Sequence, residues 1–213
     1  MNKSVFPPRL PASVRVALEE MNLLKIRALA KQYSEGIGVR KNLRVAFALF
    51  QAGAQLRDAE LAWYAADALE YGEGTPKSPA QAEHYLKLAS KLGSAGATTA
   101  LGELRWSHAK SDAERREAIA LYKRAAKQEE PHALHNLGVC MSTGSGLRKN
   151  LPGAFRYFLR AAEQGHIEAA FKVGWCLHYG EGVLANQRTA KKWFRRAAQS
   201  GHQYAIKLLN SSA

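Results

Sequence analysis

The sequence predicts an all-α protein, an α-solenoid of stacked antiparallel helix pairs, and three regularities predict it. Glycine pairs recur as Gly36-x-Gly38, Gly72-x-Gly74, Gly144-x-Gly146 and Gly180-x-Gly182, with starts 36 or 72 residues apart. Ala46, Ala82, Ala118, Ala154 and Ala190 keep the same interval without a miss. Within each interval the apolar residues follow helical spacing. Self-similarity at a period of about 20–50 residues marks a repeat architecture whose units cannot bury their apolar faces alone. Such stacks mostly present extended binding surfaces.

Each unit reads as two helices. The first is clearest at Ala133, Leu137, Gly138 and Met141, and at Ala169, Val173, Gly174 and Leu177. Steps of four, one and three place these residues on one helix face. Gly-x-Gly then ends the helix, because glycine tolerates the left-handed backbone found past a helix C-terminus. Asn42, Ser78, Asn150 and Asn186 share the next phase and are suited to cap the second helix. Pro79 follows Ser78 at the first helical position, where a missing N–H costs nothing. The second helix carries a large pair (Leu49-Phe50, Tyr85-Leu86, Leu121-Tyr122, Tyr157-Phe158, Trp193-Phe194). A small pair follows (Gly53-Ala54, Ala89-Ser90, Ala125-Ala126, Ala161-Ala162, Ala197-Ala198). Large side chains facing small ones at fixed offsets let helices interlock closely. His166 and His202 share a phase just after the closing glycine and read as first-helix starts.

These residues resemble the SEL-one-like repeat family, a cousin of the tetratricopeptide repeat. The resemblance covers residues 25–209. Residues 169–201 match nearly every position of its pattern, including Gly180-x-Gly182-Val183, Ala190, Trp193-Phe194, Ala197-Ala198 and Gly201. Repeat three departs, with Ser107, His108 and Lys110 in place of the glycine loop. Its second helix is expected to start early at Ser111, where Ser111-x-x-Glu114 makes a capping box. The expected organisation is an N-terminal extension and capping helix over 1–22, and repeats over about 23–58, 59–94, 95–130, 131–166 and 167–202. A capping helix over 203–213 completes it. The resemblance implies a right-handed superhelix whose first helices line the concave face, and a non-enzymatic scaffold that holds a protein or peptide.

The chain has 213 residues, 46 % apolar, with no run approaching the ~18 apolar residues of a membrane span. Residues 1–11 lack the apolar stretch of a secretory signal. Cys140 and Cys176 are 36 apart and so fall on equivalent helices. Neighbouring helices sit ~8–10 Å apart or more, beyond the ~7 Å limit of a disulfide. Two free thiols fit a reducing compartment, and the cytoplasm is expected. The net charge of +13 points to anionic partners or simply to a basic surface.

Catalytic chemistry is not expected, nor any cofactor or metal. Ser107-x-x-Lys110 matches the nucleophile box of serine β-lactamases, but its companion motifs are absent. A divergent hydrolase is the third reading. His132-x-x-His135 lacks further ligands at zinc spacing. The glycine loops lack the flanking strand, third glycine or lysine of a nucleotide site.

Two surfaces remain. On the second helices Arg124, Arg160 and Arg196 are 36 apart, with Arg156 and Lys192 one turn earlier. This basic ladder supports an alternative reading as a nucleic-acid-binding solenoid, although no aromatics interleave to stack bases. On the first helices three variable phases gather unusual residues. They run Arg27, Trp63, Thr99, His135, Phe171; then Lys31, Asp67, Glu103, Val139, Trp175; then Ser34, Glu70, Trp106, Ser142, His178. The expected partner-binding residues are Trp63, Asp67, Glu70, Glu103, Trp106, His135, Phe171, Trp175 and His178, since Trp anchors are enriched in binding hot spots.

Overall fold

The structure, a computed structural model, describes residues 10–210. The expected extension and caps therefore lie outside the described residues over 1–9 and 211–213. Twelve α-helices and no strand occur among the described residues, and the fold is an all-α solenoid. The chain divides into two compact units at Thr98 and Thr99. The first contains α1 (Ala12–Glu19), α2 (Leu23–Glu35), α3 (Leu43–Gln55), α4 (Ala59–Tyr71), α5 (Pro79–Lys91) and the first turn of α6 (Ala95–His108). The second contains the rest of α6, then α7 (Asp112–Ala126), α8 (Pro131–Thr143), α9 (Leu151–Glu163), α10 (Ile167–Tyr179), α11 (Gln187–Gln199) and α12 (Gln203–Asn210). Even-numbered helices are first helices of repeats, and odd-numbered ones are second helices.

Interlock of large and small residues builds the core of each unit. A Cβ added at Gly138 would lie 2.5 Å from the Phe158 ring, and one at Gly174 would lie 2.7 Å from Phe194. Gly102 meets Tyr122 in the same way. The first unit uses Ala30 and Ala66 at this phase, both buried. Full burial of a ring such as Phe158 contributes roughly 1.5–3 kcal/mol, so each such contact is a main support of its helix pair.

Polar residues set the helix ends. Gly36, Gly72, Gly144 and Gly180 are left-handed C-caps with φ of 75–81°. The second glycine of the motif answers a different need. A Cβ at Gly182 would lie 2.3 Å from the Leu151 carbonyl, so the loop packs directly on the start of the preceding second helix. Asn42, Asn150 and Asn186 accept from the N–H three residues on, whereas Ser78 stands at the cap of α5 without that bond. Repeat three runs α6 on to His108 without a glycine loop, and Ser111 with Glu114 forms the expected capping box. Val14 and Ala17 of α1 and Ala205 of α12 are fully buried.

Cys140 and Cys176 are free and buried, and burial pushes both thiols up to about 11, which keeps them protonated and unreactive. No helix among the described residues is long and apolar enough to cross a membrane.

Candidate interaction surfaces

First helices share one capping position that the sequence discloses only in part. Asn22, Asp58, Ser94, Glu130, His166 and His202 lie 36 residues apart, and each accepts from the backbone N–H three residues on. The first variable phase reaches these caps. Arg27 pairs with Asp58, and Thr99 donates to Glu130 at 2.7 Å. His135 stacks on His166 with ring centres 4.6 Å apart, and Phe171 stacks on His202 at 4.3 Å. Trp63 lies against Gly96, just inside the Ser94 cap. Residue and cap are 31 apart in all five cases, and this phase joins each first helix to the next, at Trp63 through Gly96 rather than through the cap itself. Of the expected partner-binding residues, His135 and Phe171 are largely taken up in joints, while Trp63 remains 39 % exposed.

The other two phases differ between the units. In the first unit Asp67 and Glu70 are exposed on α4, with Tyr64 and Tyr71 alongside. Here α2, α3 and α4 enclose a cleft of about 380 Å³ whose walls include Lys31, Phe50, Glu60, Tyr64, Asp67 and Glu73. Burial, then the charge of Glu73, pushes the Asp67 carboxyl up. Tyr64 donates to Glu60 at 3.1 Å. In the second unit Glu103 is exposed and accepts from Asn136 at 2.9 Å. Trp106 lies near Tyr122, with the Arg115 guanidinium 5.8 Å from its ring centre, so it helps cover α7. His178 packs against Tyr179 and Phe194. Trp175 is 38 % exposed and its ring centre is 4.5 Å from that of Tyr179, itself 56 % exposed. Sequence reasoning passed over Tyr71 and Tyr179, although they share a phase three periods apart. Of the expected residues, Trp63, Asp67 and Glu70 share α4, Phe171, Trp175 and His178 share α10, and Glu103, Trp106 and His135 stand on α6 and α8.

Three imidazoles meet at the start of α10. His132 lies edge-on to His166 at 4.7 Å, and His135 stacks on the same ring at 4.6 Å. The buried Nε2 of His135 has no hydrogen-bond partner. Burial, then His135 and His132, lowers the His166 pKa to about 4, and burial lowers that of His135. No group of three or more His, Cys, Asp or Glu among the described residues has the arrangement of a metal site. Ser107 is exposed and its hydroxyl donates to the Leu104 carbonyl at the end of α6.

Two rungs of the basic ladder have internal work. Arg160 pairs with Glu129 and lies over its own Tyr157 at 5.3 Å. Arg196 lies over Trp193 at 5.2 Å and donates to the Glu163 carbonyl at 3.4 Å. Both tie a second helix to the end of the previous one, where cations are favoured by the helix dipole. Arg124, Arg156 and Lys192 are exposed.

The Sel1 repeat family model matches residues 26–58, 59–94, 109–129, 131–166 and 167–202, well over half the chain. The chain belongs to the Sel1 repeat family. The shortest match falls on repeat three, where the glycine loop is replaced. Sel1 repeat proteins are generally protein–protein interaction scaffolds. Among solved structures, a Sel1 repeat protein from Oxalobacter formigenes aligns with a TM-score of 0.82 at 24 % identity, covering 90 % of this chain and 78 % of that one. A protective antigen of uropathogenic Escherichia coli with an SLR fold aligns at 0.81 and 23 % identity. That match covers 94 % of this chain, which spans only 44 % of the antigen. An immunity protein from Pseudomonas aeruginosa aligns at 0.60 and 22 % identity, covering 92 % and 76 %. These likenesses establish the fold. No curated protein matches the chain in sequence.

Proposed function

We propose that this Sel1 repeat protein is a non-enzymatic scaffold that holds a segment of a partner protein against exposed first-helix residues. The observation that carries the reading is the Trp175–Tyr179 pair on α10: two large rings in contact, both more than a third exposed, at phases that repeat packing does not fill. Rings of this kind supply binding energy because little entropy is lost on fixing them and much apolar area is covered. Trp63, Asp67, Glu70 and Tyr71 on α4 offer a second, more acidic patch, and Glu103 adds a carboxylate on α6. Phe171 and His178 pack against the α10 rings, whereas Trp106 and His135 are engaged with Tyr122 and His166. The free thiols favour a reducing compartment, the cytoplasm in this reading.

Cross-linked capture from native cells, compared between wild type and Trp175→Ala/Tyr179→Ala, tests the proposal. The double variant should lose the partner recovered by wild type while circular dichroism and melting stay close to wild type, since each ring is already partly solvated. Retention of the same partner at the same yield by the folded double variant would remove α10 as the working surface.

A further inference from the structure

The second helix of the last repeat carries a charge pattern that repeat packing does not require. Arg188, Lys191, Lys192 and Arg195 stand at i, i+3, i+4 and i+7 of α11, hence on one face, and all four are exposed. The helix contains five cations and no Asp or Glu. Arg196, the fifth, is occupied by Trp193 and the Glu163 carbonyl. The other four form no ion pair among the described residues. Like charges one turn apart repel and destabilise a helix, so the stripe detracts from folding unless an anion covers it. The surroundings reinforce the field: residues 99–213 carry 18 Lys and Arg against 9 Asp and Glu, so that half of the chain holds most of the excess positive charge.

We infer that this face of α11 binds the phosphodiester backbone of nucleic acid, independently of sequence. Charge density selects that partner. Seven helical steps of about 1.5 Å place four charges within about 10 Å, roughly one per 3 Å. A nucleic-acid strand presents one charge per about 3.4 Å of axis. An extended acidic peptide presents one per about 6.6 Å on a given side, since only alternate residues face the same way. A membrane surface is disfavoured because an interfacial helix needs a free apolar face: Ala190, Phe194 and Ala197 of α11 are buried in the protein, and the half-buried Trp193 ring is covered by Arg196. Base preference is not expected, because no exposed ring stands on the stripe for stacking. This surface is separate from the α10 rings, so the two proposals stand or fall independently.

Fluorescence anisotropy of the full chain with a labelled mixed-sequence duplex and a single strand, between 50 and 200 mM salt, tests the inference. Four phosphate contacts predict a slope of log K against log salt near −3.6 for duplex and near −2.8 for single strand, at about −0.9 and −0.7 per contact. Lys191→Gln/Lys192→Gln/Arg195→Gln should weaken both at least tenfold and flatten the slopes by about three contacts, while its melting temperature stays equal or rises as repulsion is relieved. Arg160→Ala, outside the stripe, should leave affinity within twofold. Equal binding by wild type and the folded triple variant overturns the inference. So does tighter binding to polyglutamate, or to vesicles rich in anionic lipid, than to either nucleic acid at the same salt.

Discussion

Two joints, one in each unit, fill the same position with opposite chemistry. At the start of α4 the guanidinium of Arg27 meets the Asp58 carboxylate. At the start of α10 a neutral His135 ring stacks on a neutral His166 ring, with His132 edge-on. In both the cap residue also accepts a backbone N–H three residues on, at 2.8 Å for Asp58 and 3.1 Å for His166. The next joint mixes the two: His202 keeps its Nδ1 for the Ala205 N–H, carries its hydrogen on Nε2, donates that to Glu168 at 2.8 Å, and stacks on Phe171. Only the pair has to be complementary, because backbone geometry already sets the separation. A phase can therefore vary from Arg to Phe along one chain while doing one structural job.

The largest effect should come from the packing beneath both joints. Gly138→Leu would drive a side chain into the Phe158 ring, and overpacking of a filled site costs about 1–3 kcal/mol or more. Thermal unfolding should show a drop of several degrees. A variant that melts like wild type would mean that the interlock does not carry the second unit.

Loss of the ionic joint comes next. Asp58→Ala removes an N-cap and strands Arg27, and should destabilise by about 2 kcal/mol, since cap deletions alone cost roughly 0.5–2. Asp58→Asn keeps the capping oxygen and should cost less than half as much. Equal losses for the two variants in urea titrations would assign the whole effect to charge and none to the cap.

The imidazole joint should answer to pH instead. The His166 pKa lies below its unfolded value, from about 6.5 down to about 4, so its contribution is full above about pH 6.5 and is lost as pH falls toward 4. Protonation also abolishes the Nδ1 acceptor that caps α10. Between pH 7 and 5 the loss should be on the order of 1–2 kcal/mol, largely removed in His166→Asn, which still caps. The Arg27–Asp58 joint contains no imidazole. Hydrogen exchange at pH 5 should therefore open α10 ahead of α4; uniform opening of both would break the contrast. At the small end, Lys172→Ala touches neither joint nor interlock and should shift stability by no more than about 0.5 kcal/mol in the same titrations.

Much of the first-helix surface was readable as variable in sequence, but variability had two causes. At Trp175, Glu103 and Asp67 it accompanies exposure. At His135 and Phe171 it reflects pairing with a cap 31 residues on, a relation that has no local signal because each member alone breaks no rule. The same holds for Arg160 and Arg196, whose regular spacing suggested a ladder for an outside anion; each bends back over its own ring to the end of the preceding helix. On α11 spacing and exposure agree, and the stripe stands clear.

Periodicity by itself determined the helix pairs, their glycine C-caps, the early start of α7 at Ser111 and the burial of the large–small phases, because these depend on interactions within a few residues or on exact repetition. Tertiary structure alone decided which variable residues meet a neighbour and which meet solvent. Joints form between residues about one repeat apart, and their chemistry is fixed by the partner each side chain finds there. An arginine, a histidine and a phenylalanine at one phase are interchangeable to the backbone and become distinct only once Asp58, His166 and His202 are brought against them.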